Sequence, residues 1–217
     1  MTFDLFANTK EAADASLPLA PGAVLLRGHA LADAAQLVGD VEQLVAQAPF
    51  RHLVTPGGFR MSVAITNCGE LGCVSGRSGY RYDRIDPESG LPWPPLPTAF
   101  GRLAALAAAA AGYEGFVPDA CLINRYEPGA KLSLHRDAGE PDGKQPIVSV
   151  SLGAPATFLF GGAKRTDKVT PVALLHGDVV VWGGPARRHF HGVLPLKREA
   201  RSLLGDRRIN LTFRKAT

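Results

Sequence analysis

Cysteine is scarce: Cys68, Cys73 and Cys121 are the only ones in 217 residues. The number is odd and the spacing fits no zinc pattern, which argues against a disulfide framework and for a reducing compartment. Long apolar runs are missing too. The longest, Leu103 to Ala111, is mostly alanine and too short to span a bilayer, so no membrane is expected. Met1 to Leu17 lacks a basic start followed by an apolar stretch, so no secretory leader is expected and the cytoplasm is the expected location. Strong charge of either sign is absent. A net charge of +4 is compatible with a polyanionic partner but does not require one. No repeat, low-complexity tract or linker divides the chain, and its length fits one domain with its own core.

What is present is turn chemistry, with 24 Gly and 17 Pro. Residues 1–20 read as a loosely ordered arm. Ala23 to Leu26 is a short apolar strand. Ala34, Val38, Val41, Val45 and Ala48 recur at helical spacing, predicting a helix over 33–47 capped by Asp33. Met61 to Thr66 reads as a strand, and Thr98 to Ala111 as a second helix with Thr98 as its N-cap. Residues 67–97 show no regular period. They hold Tyr80, Tyr82 and Trp93 among Arg77, Arg81 and Arg84, a mixture suited to stacking on bases and touching phosphates, or equally to a surface loop with its rings tucked on the core. From Asp119 onward short strands follow one another: 120–126, 132–137, 147–152, 156–160, 172–175, 178–182, 190–196 and 208–214. The expected class is α+β, mainly β: a sandwich or jelly roll with two N-terminal helices packed outside.

Three constellations carry chemistry. His135 and Asp137 lie two apart in a predicted strand and so share a face. A distant histidine would complete the two-His-one-carboxylate set that holds Fe(II) with open positions. His29 and His52 fall in the helical part, and His176 precedes a turn. His189 and His191 lie near a late strand, and spacing does not choose among the three later ones. Gly192 favours His191, because a small neighbour lets the backbone pass close to a metal. The second constellation is the strand Arg208 to Arg214. It turns Ile209, Leu211 and Phe213 one way and Arg208, Asn210, Thr212 and Arg214 the other. Inside a jelly roll two arginines on one face call for an anion, and a planar guanidinium suits a carboxylate. The third is Asn124 and Tyr126, which share a face around Arg125 and offer further donors. A dicarboxylic 2-oxo acid would use both the metal and the arginines.

These motifs resemble the AlkB family of Fe(II)/2-oxoglutarate dioxygenases, which reverse alkylation damage in nucleic acids, and most of all its founding bacterial member. The likeness covers Asn124-Arg125-Tyr126, His135-Arg136-Asp137, His191-Gly192, the strand from Arg208 to Arg214, and segments over nearly the whole chain. It implies a single dioxygenase domain over 1–217, with a double-stranded β-helix core at about 119–217 and a nucleotide-recognition lid at about 51–84. It implies iron on His135, Asp137 and His191. Arg208 would take the distal carboxylate of 2-oxoglutarate and Arg214 the one near the metal, with Asn124, Arg125, Tyr126 and Asn210 in the same co-substrate set. Dioxygen would be the oxidant. The alkyl group of a base such as 1-methyladenine or 3-methylcytosine would be hydroxylated and lost as formaldehyde, with succinate and carbon dioxide as co-products. The partner would be single-stranded DNA, a flipped base in a duplex, or RNA, met by a monomer.

Tyr80, Arg81 and Tyr82 match the family's nucleotide-contacting run, and Arg165 matches another substrate contact. Two positions depart from the pattern. Cys73 stands where close members carry a tryptophan over the damaged base, and Gly139 stands where they carry an acidic residue. The missing ring leaves room for an alternative, an oxygenase acting on a protein or small molecule. Nine Lys or Arg between Arg187 and Lys215, against Glu199 and Asp206, offer phosphate contacts beyond the two arginines given to the co-substrate.

Overall fold

The computed structural model describes residues 16–55, 57–76, 79–137, 139–140, 143–198, 202 and 204–217. Of the segments read above, residues 1–15, Arg77, Glu199 and Arg201 lie outside these. Among the described residues there are thirteen strands, β1 (Ser16–Ala20), β2 (Ala23–Leu26), β3 (Ala64–Gly69), β4 (Gly72–Gly76), β5 (Gly79–Asp83), β6 (Ala120–Tyr126), β7 (Leu132–His135), β8 (Ile147–Gly153), β9 (Ala156–Phe160), β10 (Thr170–Leu174), β11 (Val179–Trp182), β12 (His191–Val193) and β13 (Arg208–Arg214). Among the described residues the α-helices are α1 (Ala34–Gln47) and α2 (Thr98–Ala110), with one 3-10 turn at Gly184–Ala186.

A major sheet of seven strands runs β1-β2-β11-β8-β13-β6-β3, and a minor sheet of four runs β10-β9-β12-β7. Alternation along each strand sorts side chains to two cores. On the outer face of the major sheet, Cys121, Ile123, Val148, Val150, Leu211 and Phe213 pack against Leu37, Val41 and Leu44 of α1 and Phe100, Leu103 and Ala107 of α2. On the inner face, Ile65, Tyr126, Ile147, Val180 and Trp182 meet Phe158, Phe160, Val172 and Val193 of the minor sheet. The helices thus lie outside a two-sheet jelly roll, as expected, and the polar face of β13 points into the space between the sheets.

Four local expectations are corrected. Residues 16–20 are no loose arm: they pair antiparallel with β2, so their backbone groups join the major sheet. The stretch 67–97 is not without regular structure, since β4 and β5 form a hairpin there. Gly72 is needed at its base, because a Cβ would stand 2.3 Å from Trp93 Cε2. Trp93 is buried beneath the hairpin with its Nε1 donating to Asp83 O at 3.0 Å, so it packs on the core and does not stack on bases. Asp33 makes no side-chain cap. Its carboxylate instead holds Arg102 of α2 at 2.5 Å, joining the two helices, and the α2 cap position falls to Pro97.

Candidate active site

The minor sheet brings the metal ligands together. His191 of β12 stands directly opposite His135 of β7. Gly192 makes that approach possible: a Cβ there would meet Leu132 O at 2.7 Å, so the small residue serves the strand pairing that delivers both imidazoles. Strand β7 ends at His135, and Asp137 sits just beyond it rather than inside a strand over 132–137. The turn carries its carboxylate back between the histidines. His135 Nε2 is 3.9 Å from Asp137 Oδ1, and His191 Nε2 is 3.9 Å from Asp137 Oδ2. Donor atoms of the three lie within 4.8 Å of one another.

The surroundings fix the ligands for a cation. His135 Nδ1 lies 2.9 Å from Ser133 O and His191 Nδ1 3.0 Å from His189 O, which places the proton on Nδ1 and leaves each Nε2 lone pair facing the centre. Burial pushes the His191 pKa down to about 4, with His135 adding to the shift and Asp137 opposing it. Burial works to raise the Asp137 carboxyl, but Arg214, His191 and His135 outweigh it and hold it well below the usual carboxylate range. Two imidazoles that each turn Nε2 to the centre, with a carboxylate between them, suit Fe(II). The other histidines are elsewhere engaged. His176 Nδ1 accepts from Gly153 N at 3.0 Å, His52 Nδ1 lies 2.8 Å from Met61 O, and His189 packs its ring 5.6 Å from Phe160.

The co-substrate residues converge from β13 and β6. Arg208 is fully buried, its guanidinium 4.9 Å over the Tyr126 ring, with Nη2 donating to Ser151 Oγ at 2.9 Å. Its Nε and Nη1 are buried without a hydrogen-bond partner among the described residues. Nε and Nη1 lie on different edges of the guanidinium, and unsatisfied donors on a buried cation call for an anionic acceptor such as a carboxylate. Asn124 Nδ2 reaches Asn210 Oδ1 at 3.4 Å, and Asn210 Nδ2 donates to Ser149 Oγ and Val150 O, so Asn210 braces the floor of the pocket. Arg125 is not brought in. It lies on the opposite face of β6, 4.7 Å over Phe50 and 3.5 Å from Glu127, as strand alternation requires of the residue between Asn124 and Tyr126. Arg214, expected to take the near-metal carboxylate, lies beside the metal ligands and is bound to Asp137 Oδ2 at 2.7 Å and Glu140 Oε1 at 3.2 Å.

The hairpin presents Cys73, Ser75, Tyr80 and Tyr82 on one face. Cys73 pairs across the hairpin with Tyr82 and is held by Asn67, whose Oδ1 accepts from Cys73 N at 2.9 Å. Burial pushes the Cys73 thiol up, so it stays protonated. Tyr80 is half exposed near Met61 Sδ. Arg81 alternates to the other face and pairs with Asp83 at 3.1 Å, so it leaves the nucleotide-facing set. Gly139 borders Tyr82, where an added Cβ would lie 3.7 Å from Cε2. Arg165 is on the rim, donating to Leu134 O at 2.8 Å beside His135. Of the basic residues near the C-terminus, Arg187, Arg198 and Lys215 are tied to Glu140, Asp206 and Asp119.

Three residues of the site were not foreseen. Glu140 and Arg187 form a buried ion pair at 2.9 Å. Trp182 lies 5.0 Å from the His191 ring with its Nε1 unpartnered. The run Val179 to Trp182 placed Trp182 in a strand, but no spacing rule links Glu140 to Arg187.

Residues 9–214 match the family described as the 2OG-Fe(II) oxygenase superfamily. The chain is 56% identical over 213 residues to the alpha-ketoglutarate-dependent dioxygenase AlkB of Escherichia coli (strain K12), covering 98% of this chain and 97% of that protein. It is 34% identical over 116 residues to the nucleic acid dioxygenase ALKBH1 of Mus musculus, covering 53% of this chain and 30% of that protein. The solved structure of OsALKBH1 superposes with a TM-score of 0.81 at 28% identity, covering 93% of this chain and 100% of that one. The chain therefore belongs to the 2OG-Fe(II) oxygenase superfamily and, within it, to the AlkB dioxygenases, enzymes that work with Fe(II), 2-oxoglutarate and dioxygen.

Proposed function

We propose that this dioxygenase removes N-alkyl groups from bases such as 1-methyladenine and 3-methylcytosine in DNA, and in RNA where a base is accessible, with release of formaldehyde, succinate and carbon dioxide. The observation that carries the co-substrate half is Arg208, a buried cation with two unpartnered donors beside the His135, Asp137 and His191 cluster. His135, Asp137 and His191 hold the metal. Arg208, with Tyr126 and Asn124 around it, takes the distal carboxylate of 2-oxoglutarate. When bound, iron with 2-oxoglutarate supplies the oxidising power for hydroxylation of the alkyl carbon. The protein's share is positioning and the exclusion of water.

Residues 51–84 act as the lid and 119–217 as the catalytic core. The hairpin face carrying Cys73, Tyr80 and Tyr82 holds the base, which must leave its stack to enter. Arg165 on the rim steadies the backbone. The names of relatives that act on nucleic acid support this reading. Single-stranded nucleic acid is the favoured partner, because it spares the cost of flipping. The protein works as a monomer in the cytoplasm. Among the described residues no helix is long and apolar enough to cross a membrane.

The test is direct. The protein is incubated with Fe(II), 2-oxoglutarate and an oligonucleotide bearing 1-methyladenine or 3-methylcytosine, and the product is weighed. Loss of one methyl mass with formaldehyde release is expected, and His135→Ala abolishes it. Succinate formation without demethylation of any nucleic acid would overturn the proposal in favour of another substrate class.

A further inference from the structure

Glu140 and Arg187, beside the metal ligands, have no role in the chemistry above. Glu140 is buried, and both its oxygens are engaged. Oε1 accepts from the Tyr82 hydroxyl at 2.6 Å and faces Arg214 Nε at 3.2 Å, and Oε2 faces Arg187 Nη2 at 2.9 Å. Arg214 also holds Asp137 Oδ2 at 2.7 Å, and Arg187 Nη1 donates to Asp137 O at 3.2 Å. Two carboxylates and two guanidiniums thus balance one another in a buried tetrad, and a single phenol from the hairpin completes it.

We infer that Glu140 is a positioning residue that latches the hairpin of the lid to the metal-ligand carboxylate. Its lid contact is Tyr82, and its ligand contact runs through the shared Arg214. Arg214 divides its donors between Asp137 and Glu140. With Glu140 holding Arg214 Nε, Asp137 keeps an oxygen free to face the metal centre. With glutamine in its place, Arg214 turns more fully to Asp137 and competes with the cation. With the Tyr82 hydroxyl removed, the tetrad stays balanced and only the hairpin is released. The same latch gives a physical link between closure over a base and the geometry of the ligand set. That last step rests on the function proposed above; the hairpin and metal contacts do not.

Two variants separate the halves. Tyr82→Phe is expected to accelerate amide hydrogen exchange over residues 72–76 and 79–83 of the metal-free protein about tenfold, the effect of losing one hydrogen bond to a charged group. Tyr80→Phe, whose hydroxyl lies near Met61 Sδ and away from Glu140, leaves that exchange at the wild-type rate. Glu140→Gln is expected to weaken Mn(II) binding about 10-fold, the lower end for losing an outer partner of a ligating carboxylate. In the iron-loaded enzyme Tyr82→Phe raises the ratio of succinate to formaldehyde released. Unchanged hairpin exchange in Tyr82→Phe, or unchanged Mn(II) affinity in a folded Glu140→Gln, would overturn the latch. If the wild type releases no formaldehyde from any nucleic acid, the proposed substrate fails while the exchange and Mn(II) results still decide the latch.

Discussion

Replacing Arg208 by methionine separates a binding residue from a structural one. Arg208 is a buried cation that donates to the Ser151 hydroxyl, with the Tyr126 ring beneath it. Burial drives its pKa down, with Tyr126 opposing, the sign of a charge held at a cost. Removing an unpaired buried charge in favour of a packed apolar chain is neutral or stabilising. The ligand-free variant should therefore unfold at the wild-type temperature or above it. Co-substrate binding should respond in the opposite direction. Two charge-assisted bonds from the guanidinium to the carboxylate at about 1.5–3 kcal/mol each come to about 3–6 kcal/mol, roughly 10²- to 10⁴-fold in Kd. The assay is thermal unfolding with Mn(II) in place of Fe(II) and 2-oxoglutarate at about 100 times the wild-type Kd, which stabilises by about 2.7 kcal/mol. At about 2–4 °C per kcal/mol for a chain of this size, the wild type gains about 5–10 °C. Arg208→Met should gain no more than about 1–2 °C, the shift left when Kd rises 10²-fold. An equal gain in the variant, or a fall of several degrees in its ligand-free midpoint, would refute the assignment of Arg208 to the co-substrate.

Other perturbations have outcomes as definite. Cys73→Trp places a ring on the hairpin face that carries Tyr82 and should tighten binding of a methylated oligonucleotide by about 1–3 kcal/mol of stacking; unchanged fluorescence anisotropy would dismiss Cys73 as a base contact. Acid should destabilise the metal-free protein in a defined window. An unfolded histidine titrates near 6.5, whereas His191 in the fold does so at about 4, chiefly through burial. Between those values the unfolded chain takes up a proton the folded one refuses. Stability is thus complete above the window and declines through it by up to about 3 kcal/mol. The depressed Asp137 carboxyl adds its loss only at still lower pH. A urea midpoint that stays flat across the window would count against the buried neutral imidazole. Gly72→Ala drives a Cβ into Trp93 and should cost about 1–3 kcal/mol in chemical denaturation.

The jelly roll was readable because its strands carry a period of two and are separated by glycine and proline turns. In β13, Ile209, Leu211 and Phe213 had to face the helices, so Arg208 and Asn210 had to face inward, and they do. The same rule, applied to β5, would have turned Arg81 away from Tyr80 and Tyr82. It was not applied because β4 and β5 are short, bounded by glycines and partly exposed, and lack the apolar alternation that announces a strand. Arg125 escaped for a related reason: a contiguous motif was carried whole, although a strand divides it between two faces.

Glu140 marks a deeper limit. Gly139 suggested that acidic chemistry was missing from the loop after the metal aspartate, yet a buried carboxylate stands one residue later. A glutamate in a turn reads as solvated until it is known that Arg187, Arg214 and Tyr82 arrive from three other segments to enclose it. Metal ligands repeat a spacing because one ion fixes their geometry, so they leave a trace in the sequence. A charge network fixes only that opposite charges meet, which many spacings satisfy. The residues that hold the ion were therefore visible one strand at a time, while those that join the lid to the ion emerge only when all four segments are packed together.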